Sequence, residues 1–315
     1  MEFEYKTISQ AGQEAYAYMK ARKEGTVKSL KTGWGKFDKE TLDGLEWHTI
    51  VLAAGMSGSG KTLFLNQLET NLHDMNPEQD FISISMNFEM LSRTLMIRKM
   101  SSSRELTMKQ LLSADDDHKM TDKELASIKD ELLAMAKYNI FYIDKPQSIA
   151  QLKYIINQFW IKYKKPMVVS LDHTILVRRS ASDLNTNDML YNLGEALNEM
   201  KKEYPIIFVI ASQLNREIED VDRMKRPSAL QFPKKSDVFG SDSIYMYSDT
   251  VIINHRPSQL NITHYGPERW EITENDIFWH ILKNRQGSTP ILKMIADFKH
   301  MRIVEDQYFE TKLTG

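Results

Sequence analysis

Thr49-Ile50-Val51-Leu52-Ala53-Ala54 runs straight into Gly55-Met56-Ser57-Gly58-Ser59-Gly60-Lys61-Thr62, and these two segments together decide the fold. The first reads as a buried strand. The second has the spacing of a loop that wraps backbone N–H groups around nucleotide phosphates. Its glycines let the backbone curl into an anion-binding nest without Cβ clashes. Leu63, Phe64, Leu68 and Leu72 then recur at helical spacing, so strand, loop and helix follow in the order such a loop needs. The helix would turn its unpaired N–H groups and positive dipole end toward the phosphates. Lys61 would reach the β- and γ-phosphates, and Thr62 would offer its hydroxyl to a magnesium ion bridging the same oxygens. Gly55, Ser57, Gly58, Ser59, Gly60, Lys61 and Thr62 are therefore the candidate nucleotide-binding residues. A Gly/Ser surface turn before an ordinary helix is the plainer alternative, and the flanking strand and helix argue against it.

The chain has 315 residues, enough for one large α/β domain with appendages or for two small domains. No Pro/Gly/Ser-rich spacer, long like-charge block or internal repeat divides it, so a single domain with an N-terminal arm is expected, the arm at 1–26 and the domain at 27–315. Cysteine is absent, which excludes disulfides and thiolate metal sites and fits a reducing compartment. Met1-Glu2-Phe3-Glu4-Tyr5 lacks the basic and apolar regions of a secretory signal, and no apolar run approaches the ~18 residues of a membrane span. A cytoplasmic protein with no membrane partner is expected. Lys and Arg number 41 against 43 Asp and Glu, a formal charge of -2. No global positive field exists to draw the chain onto nucleic acid, so any such contact must be a local patch, as in a pore.

Along the chain, Ser9 to Glu24 reads as an amphipathic helix with Ala11, Ala15, Tyr18, Met19 and Arg22 at helical spacing and Gly25 as its stop. From Trp47 onward strands and helices alternate. Strands are expected at Phe81–Phe88, Ile140–Ile143, Met167–Leu171 and Ile206–Ser212. Helices are expected after the capping box Thr121/Glu124, at Ile149–Tyr163 and at Asp188–Lys202. This rhythm argues for an α/β fold, a mostly parallel central sheet with helices on both faces. In the last third, Thr250–Asn254, Phe278–Lys283, Ile291–Ala296 and Met301–Val304 read as strands with little helix between them, expected to extend the sheet as antiparallel C-terminal edge strands.

Three strands deliver polar residues to the edge where a nucleotide would lie. Met167–Leu171 ends at Asp172, the place of a Walker-B carboxylate holding magnesium, which makes Thr62 and Asp172 the candidate metal ligands. Ile82–Phe88 ends at Glu89, whose carboxylate could polarise a water for in-line attack on the γ-phosphate. Ile206–Ser212 delivers Gln213, whose amide could sense that phosphate. The following loop, Asn215 to Asp237, carries Arg216, Arg223, Lys225, Arg226, Lys234 and Lys235; alone, a solvated loop is the usual explanation of such a run.

Taken together the motifs resemble the DnaB-type replicative helicases, including phage members, a branch of the RecA-like ATPases. Thr32-Gly33-Trp34-Gly35-Lys36-Phe37-Asp38 and Leu42-Asp43-Gly44-Leu45 look like the family's lead into the phosphate loop. Ser85-Met86-Asn87-Phe88-Glu89-Met90 looks like "FSLEM", which implies Glu89 as the catalytic glutamate. Leu171-Asp172-His173 with Ile175 is similar to "DHxSI". Ser212-Gln213-Leu214-Asn215-Arg216 is close to "SQLNR", and Lys283-Asn284-Arg285-Gln286-Gly287 looks like "KxRxG". In this family that last lysine and arginine reach the γ-phosphate of a neighbouring subunit. Ser236-Asp237-Val238-Phe239-Gly240-Ser241, leading into Ser248-Asp249-Thr250-Val251-Ile252, looks like the pore loop that holds single-stranded DNA phosphates.

The resemblance implies ATP and Mg2+ as cofactors, and single-stranded DNA and further copies of the chain, in a hexameric ring, as partners. A primase or helicase loader would be a further one. The implied catalytic residues are Lys61, Glu89, Gln213, Lys283 and Arg285. The implied strand contacts are Arg216, Lys234, Lys235, Phe239, Gly240 and Ser241. Two features depart from the pattern. Phe239 stands where many relatives carry arginine and Asp242 where a glycine often follows, so an aromatic could stack on a base in place of a phosphate contact. Only the arm before Val27 stands where most cellular relatives carry an N-terminal domain, which suggests a phage-like or mobile-element protein. A RecA- or KaiC-like ATPase that assembles on DNA without unwinding it shares the phosphate loop, as does a slowly hydrolysing loader or scaffold.

Overall fold

The apolar run after His48 forms β1 (Thr49–Gly55), buried along its whole length. In the computed structural model, which describes residues 5–180, 183–240 and 243–309, α1 (Ile8–Lys23) and the short α2 (Gly35–Glu40) precede this strand. The chain continues through α3 (Lys61–Met75), β2 (Ile82–Asn87), α4 (Ser92–Arg104), α5 (Met108–Leu112), α6 (Asp122–Met135) and β3 (Ile140–Ile143). Then come α7 (Ile149–Tyr163), β4 (Met167–Asp172), α8 (Thr186–Glu203), β5 (Ile206–Gln213), α9 (Val221–Met224) and α10 (Ile244–Tyr247). The chain closes with β6 (Thr250–His255), the small hairpin β7 (His264–Tyr265) and β8 (Trp270–Glu271), and β9 (Asp276–Asn284), β10 (Ile291–Asp297) and β11 (Arg302–Glu305). Helix starts follow local chemistry: Thr121 with Glu124 opens α6 and Ser148 with Gln151 opens α7, each a reciprocal capping box.

Among the described residues nine strands form one sheet in the order β11-β10-β9-β6-β1-β5-β4-β2-β3. From β6 to β3 every pair is parallel. β9, β10 and β11 continue antiparallel beyond β6. The expected fold class therefore holds, with one correction. Thr250–Asn254 is no antiparallel edge strand: β6 pairs parallel with β1 and lies inside the sheet. The misreading has a physical cause, since an apolar strand without a following helix is silent about the direction of its neighbour.

Period-two alternation splits β1 between two cores. Ile50, Leu52 and Ala54 face the layer of α7, α8 and α10, against Leu152, Ile156, Leu193 and Leu197. Val51 and Ala53 face the other layer, where Phe64 and Leu68 of α3 meet Trp34, Phe37 and Trp279. Trp34 and Phe64 set their rings against Trp279 at 4.9 and 5.1 Å, edge pairs worth about 0.5–1.5 kcal/mol each beyond area burial. By contrast, no residue of α1 is buried. Its links to the sheet domain are polar, with Arg22 donating to Ser29 Oγ at 3.0 Å and Tyr18 hydrogen-bonded to Glu46.

Candidate nucleotide site

Because β1, β2, β4 and β5 run parallel, they end on one edge of the sheet. Gly55 lies in register with Gln213 on one side and with Asn254 on the other, while Asn87 pairs with Asp172. The loop after β1 bends through Gly58 at φ +75° and Gly60 at φ +94°, left-handed conformations that favour glycine. A Cβ on Gly55 would meet Ser59 Oγ at 2.2 Å and the Asn254 carbonyl at 2.8 Å, so this position admits no side chain. Among the described residues no side chain caps the N-terminus of α3, which leaves its first N–H groups turned to the loop.

Lys61 Nζ donates to the carbonyls of Gly55 and Met56, each at 2.7 Å. Burial pushes this amine below the usual lysine range, while the charges of Asp172 and Glu89 pull it back up. Thr62 Oγ1 donates to Asp172 Oδ2 at 2.8 Å. Burial raises the Asp172 carboxyl above its ordinary range, the Thr62 hydrogen bond opposing and Glu89 adding to the shift. Its other oxygen, Oδ1, is buried with no hydrogen-bond partner among the described residues. A buried carboxylate oxygen with an open coordination position beside a threonine hydroxyl suits a hard divalent cation. Among the described residues no three His, Asp or Glu side chains gather as a metal site. An ion there would take these two side chains, water and phosphate oxygens, which is the habit of Mg2+.

Glu89 is exposed just beyond β2, in electrostatic reach of Lys61 and Asp172. Arg98 on α4, which sequence reasoning passed over, also feels Asp172 and Glu89, and its Nε is buried without a hydrogen-bond partner among the described residues. Nothing in its local pattern separates it from an ordinary helix-surface arginine. Gln259 was passed over as well, although its Nε2 donates to the Ser57 carbonyl at 2.9 Å and so steadies the phosphate loop from outside.

Gln213 is tied through its backbone to the loop downstream, since Phe239 N donates to its carbonyl at 2.9 Å and Asn215 N donates to Asp237 O at 2.6 Å. The 215–237 segment is folded into short turns and is less of a free basic loop than its charges suggest. Arg223 is withdrawn from it, forked onto Asp237 at 2.7 and 2.9 Å and capping the Leu230 and Phe232 carbonyls. Arg216, Lys234 and Lys235 remain exposed. Phe239 is half-buried against the core and, with Gly240, lines a cleft of about 440 Å³ beside Asn187, Tyr191 and Asn215. Ser241 and Asp242 lie outside the described residues.

Lys283 and Arg285 are not brought to this site. Asn284 pairs with Thr250, and Thr250 with Val51, which is four residues, or about 13 Å of strand, before Gly55. There Arg285 Nη1 meets Asp249 Oδ1 at 3.1 Å. Asp249 Oδ2 also accepts from Lys201 Nζ at 2.5 Å and from Ile50 N at 2.8 Å.

Comparison with known proteins matches residues 29–305 to the family model described as DnaB-like helicase C terminal domain. Among curated relatives, the replicative DNA helicase DnaB of Mycoplasma pneumoniae is 28% identical over 281 residues, covering 85% of this chain and 55% of that protein. The replicative DNA helicase DnaB of Helicobacter pylori strain 26695 is 25% identical over 234 residues, covering 73% and 44%. The chain thus spans about half the length of the curated relatives it matches. Among solved structures, one described as an ATPase domain superposes with a TM-score of 0.79 at 18% identity, over 96% of this chain and 100% of that one. A DnaB-like replicative helicase, described together with its interactions with primase, gives 0.76 at 18%, over 96% and 67%. At such identity these two likenesses show the fold.

Proposed function

We propose, from the premise that this chain belongs to the DnaB-like helicase C-terminal domain family, that it is the motor of a ring-forming replicative helicase that uses ATP to move along single-stranded DNA and part the duplex. Residues 27–315 form the motor and 1–26 an arm that reaches a neighbouring subunit. Mg-ATP sits on the loop from Gly55 to Thr62. Thr62 and Asp172 hold the ion, which supplies charge neutralisation at the β- and γ-phosphates. Lys61 neutralises the same oxygens, Glu89 orients and deprotonates the attacking water, and Gln213 reports the γ-phosphate to the loop it is hydrogen-bonded to. Arg216, Lys234, Lys235, Phe239, Gly240 and Ser241 contact the strand.

The observation that carries this reading is the separation of the two halves of the site. Lys61, Thr62, Asp172 and Glu89 converge at one end of the sheet, while Lys283 and Arg285 lie about 13 Å back along it. A chain with its phosphate loop and its finger at opposite ends of the sheet completes a site by closing on further copies, and a hexameric ring is the closed arrangement we favour. The relatives named DnaB and the primase-interacting DnaB-like structure support the replicative setting, with a primase or a loader as a further partner.

The test is ATP hydrolysis with and without single-stranded DNA across a protein concentration series, alongside displacement of a strand from a forked duplex. Stimulation by single-stranded DNA that rises cooperatively with concentration, together with ATP-dependent strand displacement, is the expected result. Stimulated hydrolysis without displacement would move the reading to a RecA- or KaiC-like ATPase assembling on DNA. Slow turnover indifferent to DNA would move it to a loader or scaffold.

A further inference from the structure

Tyr245 lies within reach of two lysines that carry different tasks in the reading above. Its ring centroid lies 5.5 Å from Nζ of Lys235 and 5.5 Å from Nζ of Lys283. Both distances are within the reach at which an aromatic quadrupole holds an ammonium. Lys283 Nζ also donates to the carbonyls of Tyr245 at 3.2 Å and Met246 at 3.0 Å, while Tyr245 Oη donates to the Leu282 carbonyl at 3.3 Å. The single turn of α10 is thereby fastened to the end of β9, and its ring also meets the loop of Lys235.

We propose that Tyr245 is a positioning residue that couples the neighbour's nucleotide to the grip on single-stranded DNA, by holding Lys283 and Lys235 on one ring. The inference rests on the reading that Lys283 serves the phosphates of the adjacent subunit and Lys235 those of the strand. Two ammonium groups that share one half-buried ring feel each other's charge, because solvent screens them incompletely. Burial lowers the Lys283 pKa, Arg285 adds to the shift and Asp249 opposes it, and Lys201 and then Lys235 push downward by less. When Lys283 moves onto a phosphate, both the charge and the ring contact felt by Lys235 change. The same chain of contacts acts in reverse when the strand takes Lys235.

Coupling of this kind is a reciprocal ratio of affinities. The test measures the Kd of the assembled protein for a fluorescent oligothymidylate with and without a non-hydrolysable ATP analogue, in wild type, Tyr245→Leu and Tyr245→Phe, with Tm as a check on folding. The wild-type ratio is expected to exceed about 5-fold. Tyr245→Leu should fall to within about 2-fold of unity, and Tyr245→Phe, which keeps the ring, should hold the wild-type ratio. A merely structural role would lower Tm and weaken both affinities while leaving the ratio intact, and that result overturns the inference. Should Tyr245→Leu not fold, Lys235→Met at an exposed position carries the same expectation, loss of the ratio beyond any loss of affinity. A wild-type ratio of unity would overturn the underlying reading along with the inference, whereas a wild-type ratio retained by Tyr245→Leu or Lys235→Met overturns the inference alone.

Discussion

Arg285 reaches Asp249 with its Nη1 3.1 Å from Oδ1, and this ion pair stands at the end of the sheet remote from Lys61. The arginine side chain is 55% exposed while the aspartate is 11% exposed, so the carboxylate is the fixed partner and the guanidinium the one free to swing outward. Asp249 keeps Lys201 and the Ile50 amide when Arg285 leaves.

Arg285→Ala is accordingly expected to change folding stability by no more than about 1 kcal/mol, since half-exposed ion pairs contribute little. Loss of an arginine finger should lower ATP turnover by about 10³-fold. Mixing this variant with Lys61→Ala supplies interfaces that pair an intact Lys61 with an intact Arg285, and activity should return in proportion to those interfaces. A mixture as inactive as its components would show that the two residues do not meet across subunits.

Asp172→Asn should separate stability from catalysis. Burial holds the Asp172 carboxyl above its ordinary range. In the pH window between the ordinary carboxylate pKa and the raised one, the folded chain keeps a proton that the unfolded chain has lost, so metal-free stability falls as pH rises across that window. The asparagine still accepts from Thr62 and carries no charge, so in the absence of Mg2+ the variant should be the more stable by about 1 kcal/mol, a Tm a few degrees higher. Mg-nucleotide should raise the Tm of the wild type and leave the variant nearly unmoved, with turnover lost. A variant that melts below the metal-free wild type would contradict this account.

Glu89 is exposed, so Glu89→Gln should leave stability within about 0.5 kcal/mol of wild type. Its predicted defect is in the chemical step, a fall of about 10²–10⁴-fold in kcat with nucleotide affinity retained. Equilibrium binding of a fluorescent ATP analogue beside steady-state turnover checks the pair of expectations. Loss of binding in step with loss of turnover would assign Glu89 to ground-state binding.

His73 stacks on Phe81 at 4.5 Å and on Tyr138 at 5.2 Å, and its Nε2 lies 2.9 Å from Ser83 Oγ. Burial lowers its pKa from 6.5 to about 4, and that of the fully buried His255 to about 3. The unfolded chain takes up these protons first as pH drops below 6.5, so stability present above that pH is lost on the way to 4. Discounted for the partial exposure of His73, the loss there is about 1–2 kcal/mol. Urea midpoints measured from pH 7.5 to 4.5 should fall, and His73→Phe should flatten the decline; an unchanged slope in that variant would place the acid sensitivity elsewhere.

Much of the candidate site was legible because it is built from short segments whose neighbours are fixed by parallel strands. Asp172 and Gln213 follow apolar runs and Glu89 an alternating strand, and parallel pairing carries the ends of these strands to one edge. The direction of β6 was not legible, since Val251, Ile252 and Ile253 would be buried equally by a parallel or an antiparallel partner. Arg98 and Gln259 were missed for a related reason, as no local pattern announces that Arg98 feels the charges of Asp172 and Glu89 or that Gln259 donates to the Ser57 carbonyl.

The sequence by itself determined the phosphate loop, its helix and the alternation of strands, because φ-permissive glycines, side-chain period and capping chemistry act over fewer than about ten residues. Only the tertiary structure decided which charges are spoken for. Arg223, read beside Lys234 and Lys235 in one basic run, is forked onto buried Asp237, while those two lysines stay exposed. Arg285 is drawn to Asp249, 36 residues earlier, and one tyrosine ring lies within reach of Lys235 and Lys283 together. A charge is written in the sequence, but its partner is set by the packing of segments far apart in the chain, and burial then decides how strongly the two interact.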